Sequence, residues 1–229
     1  MSETVDLWTK VKDVMGGTIK SSVSEMYRLI PDSILFGSIL LYFLTQNVAF
    51  GVFGIFMIET IFSHRLISWM FSQTTGPSRS ITGDKLKCIS GFRTPQWKVD
   101  RIFNHNNYPA YGVFSITSIG TYLCLAAGEF SKTLQTMGPE WASRKTVAYS
   151  LIPIVIAIFL LIRWSDGCDP IEDIIIAMLL AFVVGTLFFF INKQLFGVES
   201  MNFLGLPYLV SKESQGSPIY ICATEPKTT

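Results

Sequence analysis

Long apolar stretches constrain the fold of this chain more than any other feature of its sequence. Apolar residues make up 49% of the 229 positions and charged residues only 15%, and the charges cluster between the apolar stretches. A helix needs roughly 17–25 predominantly apolar residues to cross a bilayer. Three ranges meet that length: Ala110–Gly128, Thr146–Ile162 and Ile171–Ile191. They predict an all-α, polytopic membrane protein.

A further apolar stretch, Ile34–Phe62, is longer than a single span requires. Gln46 and Asn47 interrupt it, and a polar pair is costly in the middle of a bilayer. We therefore favour two helices that turn at Thr45–Asn47, the second running on past His64, over one tilted helix. The bundle then has four or five spanning helices, and the core extends over residues 32–191.

The N-terminal region, residues 1–31, has no signal-peptide pattern because charged residues interrupt any apolar segment. Its apolar residues recur at near-helical intervals: Trp8, Val11, Met15 and Ile19. This pattern predicts a retained amphipathic helix on the membrane surface, with a solvated lead-in helix as the alternative.

The C-terminal region, residues 192–229, holds no further span and predicts an extended tail. Its segment Pro218–Cys222 is short, apolar and β-prone. Such a segment either folds back or adds to the edge of a partner's sheet, and we favour the partner.

The connection His64–Pro109 is the basic loop of the chain, with seven Lys or Arg residues against two Asp residues. The positive-inside rule places it in the cytoplasm. A phosphate-binding loop needs the same cations for a different reason, so the absolute orientation stays open. Two spans separate this loop from the Arg163–Asp173 loop, which must therefore lie on the same side of the membrane. The tail lies on the opposite side.

Four cysteines lie far apart and form no Cys-x-x-Cys pair: Cys88, Cys124, Cys168 and Cys222. The spacing predicts separate buried or free thiols, with no metal site and no bound cofactor. The net charge of +1 gives no indication of a nucleic-acid partner.

The polar loop between the last two spans carries Arg163, then five residues, Asp169, three residues and Asp173. Helix N-termini on this side, after Pro109 and Pro170, favour anions. The planar guanidinium of arginine suits phosphate oxygens. The alternative is structural: arginine as an interface anchor and the two aspartates as helix-start acids.

The order of these parts resembles the type 2 phosphatidic acid phosphatase superfamily, whose six-helix cores carry the motifs Lys-x6-Arg-Pro, Pro-Ser-Gly-His and Ser-Arg-x5-His-x3-Asp. Arg163 and Asp173 match the third motif and Pro109 matches the second. The resemblance covers roughly Lys85–Ile191. The cations that it assigns to phosphate binding are Lys85, Lys87, Arg93 and Arg163.

Both histidines of the family are replaced in this chain. The nucleophilic histidine falls on Asp169 and the acid histidine on Gly112. An aspartate serves as a phosphoryl acceptor in some enzymes, whereas glycine cannot donate a proton. The candidate catalytic residues are thus Asp169, Asp173 and His105, which precedes Pro109 in the loop. Glu59, deep inside an apolar stretch, is a separate functional candidate whose expected partner is Arg65 or another basic-loop residue.

These features predict an integral membrane protein with a degenerate lipid-phosphatase-like core and a structural or assembly role. The alternative is an active or phosphate-binding lipid phosphatase, a phosphoric monoester hydrolase if it is an enzyme; a transporter ranks last. The Phe-rich chain, with 18 phenylalanines, also resembles inner-membrane proteins of large DNA viruses. That resemblance implies a virion membrane, with a capsid or another membrane protein as partner of the tail.

Overall fold

The computed structural model describes residues 29–75, 88, 108–131, 135 and 139–203. Five helices occupy these ranges: α1 Leu29–Thr45, α2 Val48–Thr75, α3 Tyr111–Glu129, α4 Pro139–Ser165 and α5 Ile171–Phe196. The predicted all-α class is confirmed. Helices α2 to α5 are long and apolar enough to cross a membrane, whereas α1 is shorter. Residues 1–28 of the predicted N-terminal region 1–31 and the tail segment Pro218–Cys222 lie outside the described residues, whereas residues 29–31 belong to α1.

The division of the first apolar stretch into two helices is confirmed. Helix α1 ends at Thr45, and α2 begins after Gln46 and Asn47. The side-chain Oδ1 of Asn47 accepts a hydrogen bond from the Ala49 amide at 2.9 Å, so it caps the first turn of α2. Gln46 adopts a φ of 56°, which reverses the chain within two residues. The polar pair therefore makes the turn and caps the second helix.

Helix α3 is the centre of the bundle. Within its candidate span 67% of the residues are buried, against 6% in the span of α4. Helix α5 packs along α3 through a stripe of small residues, Ala177, Ala181 and Gly185. Small residues at this spacing let two helix backbones approach closely within a membrane. The opposite face of α5 presents large apolar side chains to the surroundings, among them Leu179, Phe182 and Leu187.

The helices define two ends of the bundle. At one end α2 and α4 finish and α3 and α5 begin, and the His64 ring lies 5.1 Å from that of Tyr111. We call it the disulfide end because a disulfide between Cys88 and Cys168 lies there. At the other, called the tail end, Lys193 of α5 pairs with Glu129 of α3 at 2.7 Å. Helices α3 and α5 therefore run parallel. The described parts of the two polar loops lie at the disulfide end, as the sequence predicts.

The start of the C-terminal region folds back on the bundle. Helix α5 continues to Phe196, five residues beyond the predicted span, and Gly197 with a φ of 79° ends it. A short 3-10 turn, Val198–Met201, follows. The Phe203 ring then packs 5.3 Å from that of Phe53 in α2, and Met201 is buried. These residues close the tail end of the apolar core.

The contact between α3 and α5 yields a prediction about Gly185. A Cβ there would lie 2.9 Å from the Ser118 backbone carbonyl oxygen, which cannot move aside as a flexible side chain could. We expect Gly185→Ala to lower the free energy of unfolding by roughly 1–3 kcal/mol. Thermal unfolding of the detergent-purified protein measures this.

The matched control is Gly37→Ala in α1, where an added Cβ has no atom within 4 Å. It should be neutral or slightly stabilising because alanine favours a helix over glycine. Equal melting temperatures for the Gly185 and Gly37 variants would contradict the close packing of α3 on α5.

Candidate functional site

The loop between α4 and α5 has a defined backbone structure. Gly167 adopts a φ of 67° and its amide donates to the Trp164 carbonyl at 3.0 Å, while the Cys168 amide donates to the Arg163 carbonyl at 3.0 Å. This pair of bonds is a Schellman motif, which glycine favours because it has no Cβ to clash at positive φ. The motif fixes the direction in which the chain leaves α4, and it brings the loop back over the helix end.

Arg163 and Asp169, two of the predicted site residues, contact each other directly. The Arg163 Nε lies 2.6 Å from Asp169 Oδ2, and the two side chains are only 10% and 11% exposed. The Arg163 Nη1 also donates to the backbone carbonyl of Cys88 at 3.1 Å. At least two donor groups of the guanidinium therefore bond to atoms of the protein itself.

The prediction of separate thiols is wrong for two of the four cysteines. Cys88 and Cys168 form a disulfide with a Cα–Cα distance of 5.0 Å, and both residues are buried. They lie 80 residues apart, and sequence spacing does not reveal such a pairing. Cys124 on α3 remains a free thiol.

The disulfide and the arginine together form what we call the loop latch, comprising Cys88, Cys168, Arg163 and Asp169. Through Cys88, the connection between α2 and α3 is joined to the α4–α5 loop by one covalent bond and one hydrogen bond. The ion pair supports the same loop from within. These contacts of the latch are made between protein groups at the disulfide end.

The remaining predicted site residues are distributed as follows. Asp173 lies in the first turn of α5 and is buried, and Gly112 lies in the first turn of α3 and is buried. The nearby His64 of α2 is fully buried and bonds through Nε2 to the Pro109 carbonyl at 2.7 Å. Four predicted residues lie outside the described ranges: Lys85, Lys87, Arg93 and His105.

The structure also shows a polar contact of Glu59 with a residue that the sequence did not predict. The Asn192 Nδ2 on α5 donates to Glu59 Oε2 on α2 at 3.0 Å, so Glu59 contacts Asn192, with Arg65 exposed elsewhere on α2. Asn192 was missed because the sequence places it at the first position of the tail. The sequence did carry a signal for Asn192, because this residue lies on the same helical stripe as Gly185 and Phe189.

The chemistry available at the latch is that of a rigid clamp. Within the described residues, no group of three or more His, Cys, Asp and Glu side chains is placed to hold a metal ion. The Oδ2 atom of Asp169 is engaged by the Arg163 guanidinium and is not available for attack while that bond is in place. In comparisons with known proteins, no family model, no characterised protein and no solved structure matches the chain.

The disulfide yields a prediction about stability. Closing an 80-residue loop restricts the unfolded chain, so we expect Cys88→Ser or Cys168→Ser to cost roughly 2–5 kcal/mol of unfolding free energy. The control is Cys124→Ser, which removes a thiol but no crosslink. Thermal unfolding with and without reductant measures both. The crosslink would be contradicted if reductant lowered the melting temperature of the unmodified protein no more than that of the Cys88 variant.

The disulfide also bears on orientation. Disulfides persist in oxidising compartments and are rare in the cytosol, so we expect the disulfide end to face an oxidising compartment, opposite to the side that the loop charges predict. In sealed vesicles of known orientation, an impermeant reductant followed by an impermeant maleimide should label Cys88 and Cys168 from that side. Labelling from the cytosolic side without prior reduction would show the reverse.

Proposed function

We propose that the protein is a multi-pass membrane scaffold with a degenerate lipid-phosphatase-like core, acting in structure or assembly rather than hydrolysis. The observation that carries the proposal is the ion pair between Arg163 and Asp169, whose side chains are almost fully buried against the protein. Four candidate spans support the membrane setting.

A phosphatase of the type that the chain resembles requires its arginine to face the phosphate. Here the arginine Nε and Nη1 bind Asp169 and the Cys88 carbonyl. Phosphate binding would have to break a buried ion pair and leave the carboxylate without its cation, at a cost of several kcal/mol. The residue in the position of the nucleophilic histidine therefore holds the loop closed.

The second family position gives the same indication. Gly112 stands where the family has its acid histidine, and it is buried in the first turn of α3. The nearest imidazole that the structure describes, His64, is fully buried and bonded to the Pro109 carbonyl. Glycine has no side chain that could donate a proton to a leaving group.

A membrane scaffold also accounts for the outer surface. Helix α4 presents almost all of its candidate span Lys145–Ser165 outward, and the outer face of α5 is also apolar. In a bilayer these faces contact lipid or a neighbouring helix without cost. A capsid or membrane-protein partner for the tail, and a virion inner membrane as the location, remain predictions from the sequence.

The activity test is phosphate release from a panel of lipid phosphates and pyrophosphates by the detergent-purified protein. We expect no release above the blank from the unmodified chain, from Arg163→Ala or from Asp169→Asn. Turnover by the unmodified chain that both substitutions abolish would overturn the scaffold proposal and favour an active lipid phosphatase.

The same variants test the structural role. Removing one partner of a buried ion pair leaves an uncompensated charge, so each substitution should lower the unfolding free energy by roughly 3–5 kcal/mol. The double variant Arg163→Met with Asp169→Leu should lose less than the sum of the two single variants. Glu199→Gln, at an exposed carboxylate, is the matched control. Additive losses would argue against the pair.

A further inference from the structure

One carboxylate of the bundle lies in the interior of a candidate span along the chain rather than at an end of one. Glu59 is near the middle of the candidate span Val48–Phe71, whereas the other acids that the structure describes in the spans, Glu129, Glu172 and Asp173, stand at helix ends. The outward neighbours of Glu59 on α2 are apolar and exposed: Ile55, Ile58 and Phe62. An ionisable group at such a position is costly and marks a functional contact by default.

Asn192 is the hydrogen-bond partner of Glu59, and only one of its two side-chain polar atoms is hydrogen-bonded among the described residues. Asn192 is 0% exposed; its Nδ2 donates to Glu59 Oε2 at 3.0 Å, while its Oδ1 has no hydrogen-bond partner among the described residues. A buried carbonyl oxygen without a donor is unfavourable. The nearby hydroxyl of Tyr122 donates instead to the sulfur of Met201 at 3.3 Å.

The amide of asparagine can serve both protonation states of a carboxyl group. Its Nδ2 donates to an ionised carboxylate, and after a half rotation about the Cβ–Cγ bond its Oδ1 accepts from the O–H of the protonated acid. We propose that Glu59 and Asn192 form a proton-binding site inside the membrane-spanning bundle. The site takes one proton from the water phase onto Glu59, and only hydrogen bonds exchange when it does.

The surrounding groups are compatible with a single exchangeable proton. On α3 the titratable side chains on this side are Tyr122 and Glu129, and on α5 the charged one is Lys193, which is paired with Glu129 at 2.7 Å. On α1 the Tyr42 ring packs at Gly51, and after α5 Glu199 is exposed. The paired charges largely cancel, so Glu59 carries the variable charge of this region.

A proton suits the site better than a metal cation does. The carboxylate and one amide oxygen supply at most three oxygen ligands, whereas hard cations such as calcium take six or more and magnesium requires six in octahedral geometry. A proton needs one acceptor and one hydrogen-bond partner, and both are present. A purely structural hydrogen bond between α2 and α5 is the competing explanation, and it requires no change with pH.

The test uses dicyclohexylcarbodiimide, an apolar reagent that modifies protonated carboxyl groups. The full-length protein in liposomes is treated from about pH 5 to about pH 9, so that a wide range of proton affinities is covered. Labelling is quantified at each acid by peptide mass spectrometry. We expect Glu59 to be labelled at low pH and to lose labelling with a single midpoint as pH rises, and Glu59→Gln to show none there.

Asn192→Leu tests the partner. Its loss removes a charge-assisted bond to the ionised form, which is stronger than the bond to the neutral acid. The midpoint should therefore move to higher pH by about one unit, a tenfold rise in proton affinity. Gln194→Leu, at an exposed position two residues further on α5, should leave the midpoint unchanged.

Three outcomes would overturn the proposal, and none depends on whether the Asn192 variant folds. Absence of labelling at Glu59 throughout the range would mean a permanently ionised carboxylate. Labelling independent of pH would mean a permanently protonated structural group. Labelling suppressed by added sodium at constant pH would assign the site to a metal cation.

Discussion

The close approach of α3 and α5 is the contact on which the rest of the bundle depends. Gly185 brings the two backbones together at Ser118, whose hydroxyl also donates to the Ala181 carbonyl at 3.2 Å. In a bilayer, water cannot solvate the backbone, and the burial of apolar side chains does not drive helices together. Van der Waals packing between α3 and α5 and the Ser118 hydrogen bond therefore hold the two helices in contact. Helices α2 and α4 add to the sides of this pair.

Each end of the α3–α5 pair is secured by a different kind of interaction. At the disulfide end the loop latch uses a covalent bond and a buried ion pair. At the tail end, polar contacts of α5 with its neighbours, from Asn192 and Lys193, stand beside an aromatic cluster around Tyr122. The first kind of closure is permanent in an oxidising compartment, whereas the second can respond to protonation.

The sequence was sufficient to predict the helices, but it was not sufficient to predict the contacts between them. Apolar length and the polar pair Gln46 and Asn47 predicted the spans and the turn, because both depend on local chain properties. The disulfide and the Glu59–Asn192 contact join residues 80 and 133 positions apart. Such pairings are set by how helices pack, which composition and periodicity do not encode. The spacing of Arg163 and Asp169 predicted a shared site. It did not predict that the two side chains would form an ion pair with each other.

The helix at the centre of the bundle differs in length from the helices at its outer surface. At 1.5 Å per residue its 19 residues span about 28 Å, while the 26 residues of α5 span about 39 Å. The central helix is thus the shortest of the four, and the Glu129–Lys193 pair marks where its hydrocarbon-compatible part ends. Because α3 lies inside the bundle, the lipid contacts the longer, outward-facing helices α4 and α5 instead. The bilayer is therefore matched by the tilt of those two helices rather than by the length of α3.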